Sequence, residues 1–192
     1  MLETLIELQR LKSLDRTGWT LRGLPNGTES VAAHSFGVAV AAMLIADELT
    51  ARGVELNVET VLRLAVLHDW AETRVGDMPR TATEYFGAEN RKRAETAAFS
   101  DLTATLGELS EKYRRLYEDY EQRASVEARV VKAADIIDLL VEVLALERSG
   151  ARGLDEFWIV ATEPNLNVDG PAKEVIDLIL KSLLQARSEI IS

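Results

Sequence analysis

Three stretches of this chain, roughly residues 31–47, 58–72 and 126–146, are apolar around most of a helical turn, yet each carries imidazole or carboxylate groups inside its apolar run. Helices with such broad apolar faces belong in a core. His34 lies in the first, His68 and Asp69 in the second, and Asp135 and Asp138 in the third. Burying such groups without partners is expensive, so the pattern predicts that they satisfy one another or a shared ion. A structural polar network is the plainer alternative, and a lone His-Asp pair arises often by chance. The ion is favoured because both histidines of the chain fall in this set.

The rest of the chain points to one all-helical domain over residues 1–192. Only 4 Pro and 11 Gly interrupt 192 residues, and the hydrophobic share of 47% is ample for a core. Spacing predicts an amphipathic helix over Met1 to Leu14, with Leu2, Leu5, Ile6, Leu8 and Leu11 on its apolar side. A Gly- and Pro-marked loop follows from Asp15 to Glu29. Helices are expected from about Ser30 to Ala51 and from an Asn57 cap to about Thr73, then a turn over Val75 to Arg80. More polar helices are read over Ala88 to Leu106 and Ser110 to Arg123, then a long apolar one over Val126 to Arg148. Pro171 opens a last helix, to about residue 188, with Val175, Leu178, Ile179 and Leu183 on one face.

Composition narrows the chemistry. With no cysteine in the chain, thiolate metal sites, iron–sulfur clusters, disulfides and thiol nucleophiles are excluded. A formal charge of -10 makes a nucleic-acid polymer a poor partner. The first residues do not read as a signal peptide, and the tract Val31 to Ala46 is too short to span a bilayer. A cytoplasmic protein without a membrane partner is therefore expected. His34, His68, Asp69 and Asp135 together make a mixed N/O ligand set for one divalent transition metal, such as Mn, Co, Ni, Fe or Zn.

The order His34, then His68-Asp69, then Asp135 resembles the signature of the HD superfamily of metal-dependent phosphohydrolases. More narrowly, Glu29-Ser30-Val31-Ala32-Ala33-His34-Ser35, Leu67-His68-Asp69-Trp70-Ala71-Glu72 with Gly76-Asp77-Met78-Pro79, and Val131-Lys132-Ala133-Ala134-Asp135 resemble the motifs of the small HD-domain 5′-deoxynucleotidases. These motifs lie within residues 16–148. Ala33 departs from the acidic residue usual before the first His. The resemblance implies an HD-type helical bundle and one metal ion held by His34, His68, Asp69 and Asp135. It further implies that Glu72 assists the attacking water and that Asp77 arranges water or substrate. Arg16 would meet the phosphate and Trp19 the sugar, with Arg22 and Arg80 as lesser phosphate candidates. The implied substrate is a 2′-deoxynucleoside 5′-monophosphate, and a homodimer is expected. Two alternatives stay open: another HD phosphohydrolase acting on a nucleoside triphosphate, alarmone or cyclic nucleotide, and a catalytically silent helical interaction module with a structural metal site.

Overall fold

The computed structural model describes residues 1–162 and 164–191. Its α-helices are α1 (Leu2–Leu8), α2 (Thr17–Thr20), α3 (Val31–Ala51), α4 (Val58–Leu67), α5 (Glu72–Val75), α6 (Arg80–Phe86), α7 (Ala88–Thr103), α8 (Leu109–Gln122), α9 (Val126–Arg148), α10 (Ile159–Thr162) and α11 (Gly170–Ile191). Among the described residues there is no strand, only one antiparallel bridge between Asp15 and Ser30. The expected all-α class is what the chain adopts. Two compact units are interleaved along it, one of residues 1–35 and 67–118, the other of residues 36–66 and 119–192.

Aromatic packing organises the first unit. Leu67, Ala71, Ala98, Phe99 and Tyr117 form a buried cluster, against which Trp70, Val75, Tyr113 and Leu116 pack. Phe99 stacks on Tyr117 with ring centroids 4.1 Å apart, and Trp70 stacks on Tyr113 at 5.6 Å. Offset ring stacking adds to the apolar burial of these large side chains. That cluster anchors α7 and α8 directly behind the segment that carries His68, Asp69 and Glu72.

Two local expectations fail here. The first helix stops at Leu8, continues as a 3-10 turn over Gln9–Lys12, and exposes Leu2, Leu5 and Ile6. Thr4 is buried instead, because its hydroxyl meets the Leu102 carbonyl and lies 2.6 Å from Thr105 Oγ1. A polar contact to a distant segment, not the apolar period, sets the face of α1. Likewise the expected helix to Thr73 breaks after Leu67. Trp70, Glu72 and Thr73 donate to carbonyls three residues back, a tighter winding than α.

The second unit is held by long helices. Val38, Ala42, Ile45, Ala46 and Leu49 of α3 are buried, as are Val61, Leu64 and Ala65 of α4. Asn57 caps α4 through Thr60 N–H, as expected. Ser125 caps α9 through Ala128 N–H. Helix α11 packs on α9 with Val175, Ile176, Leu180 and Leu183 inward, while Leu178 is exposed, so its buried face is rotated from the predicted one. Arg187 on α11 donates twice to the buried Glu147 carboxylate on α9. Gly37 is required by α9: a Cβ at that position would come within 1.9 Å of Asp138 Oδ1. Asp138 therefore lies directly against the backbone of α3 at Gly37.

Candidate metal and active site

The loop between α1 and α3 is pinned before it reaches any functional group. Val31 N–H donates to Leu14 O, Arg16 N–H donates to Glu29 O, and the Ser30 hydroxyl accepts from Ala33 N–H at the start of α3. This capped first turn fixes His34, whose backbone bonds to Ser30 O and whose ring is almost wholly buried. Ala33 is exposed.

His68 and Asp69 lie in the tightened turn after Leu67. On a regular α-helix adjacent side chains diverge by about 100°. Here the break brings them together: His68 Nε2 is 3.1 Å from Asp69 Oδ2. His34 Nε2 is 3.7 Å from the same oxygen, and the two imidazole rings meet edge to face with centroids 5.5 Å apart. Metal–ligand bonds of about 2.0–2.2 Å put neighbouring donors roughly 3–3.5 Å apart, and the two imidazole nitrogens lie at 3.1 and 3.7 Å from Asp69 Oδ2, close to that spacing. Two imidazole nitrogens and a carboxylate oxygen also suit a divalent transition metal. The residues fit the expected ion.

The electrostatics agree with a site built for positive charge. Burial by itself would raise the Asp69 carboxyl, but His68, His34 and Arg16 outweigh it and hold the group well below the usual carboxylate range. Arg16 Nη1 lies 3.7 Å from Asp69 Oδ2. Glu72 behaves in the opposite way. Burial, then the negative charges of Asp69 and Asp77, push its carboxyl up to about 10, against the pull of Arg16 and Arg91. Its Oε2 is buried with no hydrogen-bond partner among the described residues. A carboxyl stranded in this way next to a histidine cluster is a hallmark of a functional site more than of a stable core.

Asp77 has a positioning task. Its Oδ2 accepts from Thr17 N–H at 2.5 Å and from the Thr17 hydroxyl at 3.0 Å, which caps α2 from sixty residues away and fixes the residue next to Arg16. Trp19, on α2, is buried, and its indole N–H donates to Glu29 Oε2 at 2.7 Å. Arg22 is partly buried and Arg80 exposed. Asp135 belongs to the second unit, where Lys132 Nζ (2.6 Å) and the Tyr120 hydroxyl (3.2 Å) both donate to its Oδ2. Lys132, Tyr120 and Arg91 were not singled out from the sequence. Their contacts depend on packing, apart from the three-residue spacing of Lys132 and Asp135, which reads like any helical ion pair.

An all-helical chain that brings two imidazoles and a carboxylate together, beside a stranded glutamate, has the donor set of a metal-dependent hydrolase. Comparison with known proteins places it more closely. The HD domain family matches residues 8–160, and the chain belongs to that family. It is similar to the 5'-deoxynucleotidase hdd1 of Schizosaccharomyces pombe, 32% identical over 157 residues, covering 78% of this chain and 75% of that one. It is also similar to the human 5'-deoxynucleotidase HDDC2, 34% identical over 148 residues, covering 77% and 68%. Among solved structures, a Pyrococcus horikoshii protein matches with a TM-score of 0.82 at 33% identity, covering 97% of this chain and 99% of that one.

Proposed function

We propose that this chain is a metal-dependent 5′-deoxynucleotidase that cleaves 2′-deoxynucleoside 5′-monophosphates to nucleoside and phosphate. The observation that carries the reading is that the His34 and His68 imidazoles both reach within 3.7 Å of Asp69 Oδ2 beside the stranded Glu72 carboxyl. Similarity to named 5'-deoxynucleotidases over most of the chain supports the substrate class.

His34, His68 and Asp69 would hold the ion, with Asp135 as a fourth protein ligand. The matched motif around Asp135, and the two donors that orient its carboxylate, support that fourth assignment. A bound divalent ion supplies positive charge and makes a water more acidic. Arg16 meets the phosphate, a task suited to its forked donors and to its position against Asp69. Glu72 holds and moves the proton at its Oε2, where burial gives the carboxyl the affinity to keep one. Asp77 keeps the Arg16 segment in place through Thr17. Trp19, fixed by Glu29, is the wall against the sugar. A silent module is disfavoured because a stranded buried acid destabilises a fold and returns nothing structural.

We infer a single HD domain: the family match over residues 8–160 runs through both compact units, neither of which is continuous in sequence. A homodimer in the cytoplasm completes the reading. Helix α3 covers Val31–Ala51, as expected, and by length and composition is long and apolar enough to cross a bilayer, unlike the shorter tract Val31 to Ala46. Its outer side presents Phe36, Val40, Met43 and Leu44 at helical spacing, which supports burial against a second copy. The deciding experiment measures phosphate release from dAMP by purified protein, stripped of metal and then reloaded with Mn, Co, Ni, Fe or Zn. Activity restored by a divalent ion is expected. No release with any of them refutes the proposal.

A further inference from the structure

Arg91 stands on α7, the helix packed against the α5 turn that begins with Glu72. Its side chain is 31% exposed, deep for an arginine on an otherwise polar helix face. Nε donates to Glu95 Oε1 at 2.7 Å, and Nη1 donates to Thr83 Oγ1 at 3.5 Å, across to α6. Glu95 is itself only 12% exposed, so the pair is not a solvated surface contact. These bonds orient the guanidinium plane and leave the Nη2 donors without a hydrogen bond among the described residues.

Arg91 stands on the helix that packs against the α5 turn, near enough to the site for its charge to be felt there. Burial would weaken its protonated form, but Glu95, then Glu72 and Asp77, hold it more firmly protonated than usual. Glu72 feels the same pair from its own side. Around Glu72 stand the carboxyls of Asp69 and Asp77, whereas the cations are Arg16 and Arg91, and Arg16 already lies against Asp69. A phosphate monoester dianion entering such a site needs a second fixed cation, and a braced guanidinium with spare donors has the right chemistry.

We propose that Arg91 is a second substrate-positioning cation, which takes a phosphate oxygen on Nη2 while Glu95 and Thr83 hold its plane. The assignment rests on the phosphatase reading above. It extends the phosphate site beyond the loop that carries Arg16 to the α6–α7 hairpin.

The test compares metal-loaded wild type with Arg91→Gln, Arg91→Lys and the surface control Arg93→Gln, in dAMP turnover and in calorimetric titration with inorganic phosphate. Arg91→Gln should raise both the KM for dAMP and the Kd for phosphate about tenfold or more, with a smaller change in kcat. Arg91→Lys, which keeps the charge and the Glu95 pair, should give intermediate values and serves as the comparison if the Gln variant does not fold. Metal content should be unchanged in every variant. An unaltered phosphate Kd in Arg91→Gln overturns the proposal. So does a loss confined to kcat with no recovery by Lys, the mark of a purely structural residue. A wild type that binds phosphate but turns over no nucleotide removes the phosphatase reading, and the Kd ratio then still decides Arg91. A wild type with no phosphate binding overturns the Arg91 assignment itself.

Discussion

Thr17 is held by Asp77: its backbone N–H and its hydroxyl both donate to the same carboxylate oxygen, at 2.5 and 3.0 Å, and the hydroxyl also lies 3.0 Å from the Asp77 carbonyl. One carboxylate thereby closes the loop that follows His68 and Asp69 onto the loop that carries Arg16. Asp77→Ala should lose the cap of α2, about 1 kcal/mol of stability. It should also raise the KM for dAMP about tenfold through misplacement of Arg16. Steady-state kinetics beside a denaturant titration separate the two effects. A stability loss with unchanged KM would make Asp77 a structural cap alone.

The proposed ligand set makes metal retention a test. His34→Ala and His68→Ala each remove an imidazole within 3.7 Å of Asp69 Oδ2, and Asp69→Ala removes that oxygen, so each should lose bound metal and turnover together. Elemental analysis after dialysis reads the first effect directly. Full divalent metal in all three variants would remove the ligand assignment.

Glu72 predicts a pH dependence with a definite sign. Burial and the neighbouring carboxylates push its carboxyl in the metal-free folded protein up from the ordinary 4.5 to about 10, so between those limits the folded state binds a proton that the unfolded chain releases. Stability contributed by this group is fully present below pH 4.5 and is lost as pH rises towards 10. Melting temperatures of the metal-free protein should therefore decline over that window, and Glu72→Gln should flatten the decline. On the proposed role of Glu72 in proton handling, the same variant should keep metal while losing about 100-fold or more in kcat. Parallel pH–Tm curves for the two proteins would contradict the assigned burial effect.

The proposed role of Trp19 at the sugar predicts a substrate preference. Wild type should turn over dAMP and dGMP faster than AMP and GMP, because an indole wall strands an added 2′-hydroxyl without a partner. Trp19→Phe keeps most of the packing and loses the Glu29 hydrogen bond, so the preference should narrow with a stability loss of roughly 1 kcal/mol. Trp19→Ala should narrow it further and cost about 3–5 kcal/mol, as the ring is buried. Equal deoxy and ribo rates in the wild type would defeat the sugar assignment and leave the metal phosphohydrolase intact.

Helix by helix, the sequence alone determined where the long elements run, because their signals are local. The Asn57 cap acts within three residues, and the apolar faces of α3, α4 and α9 repeat within a turn or two. It also marked His34, His68 and Asp69, since polar groups in apolar runs stand out without knowledge of their neighbours. Tertiary structure decided what those groups do together. The break after Leu67, stabilised where Trp70 and Ala71 enter the aromatic cluster, turns His68 and Asp69 onto one point that a continued helix would not allow. The capping of Thr17 by Asp77, the burial of Thr4 in place of Leu5, and the bracing of Arg91 by Thr83 and Glu95 were likewise invisible. Each of these depends on how the chain closes over tens of residues or on which face of a helix a neighbour covers. Neither quantity is written in the period of a single helix.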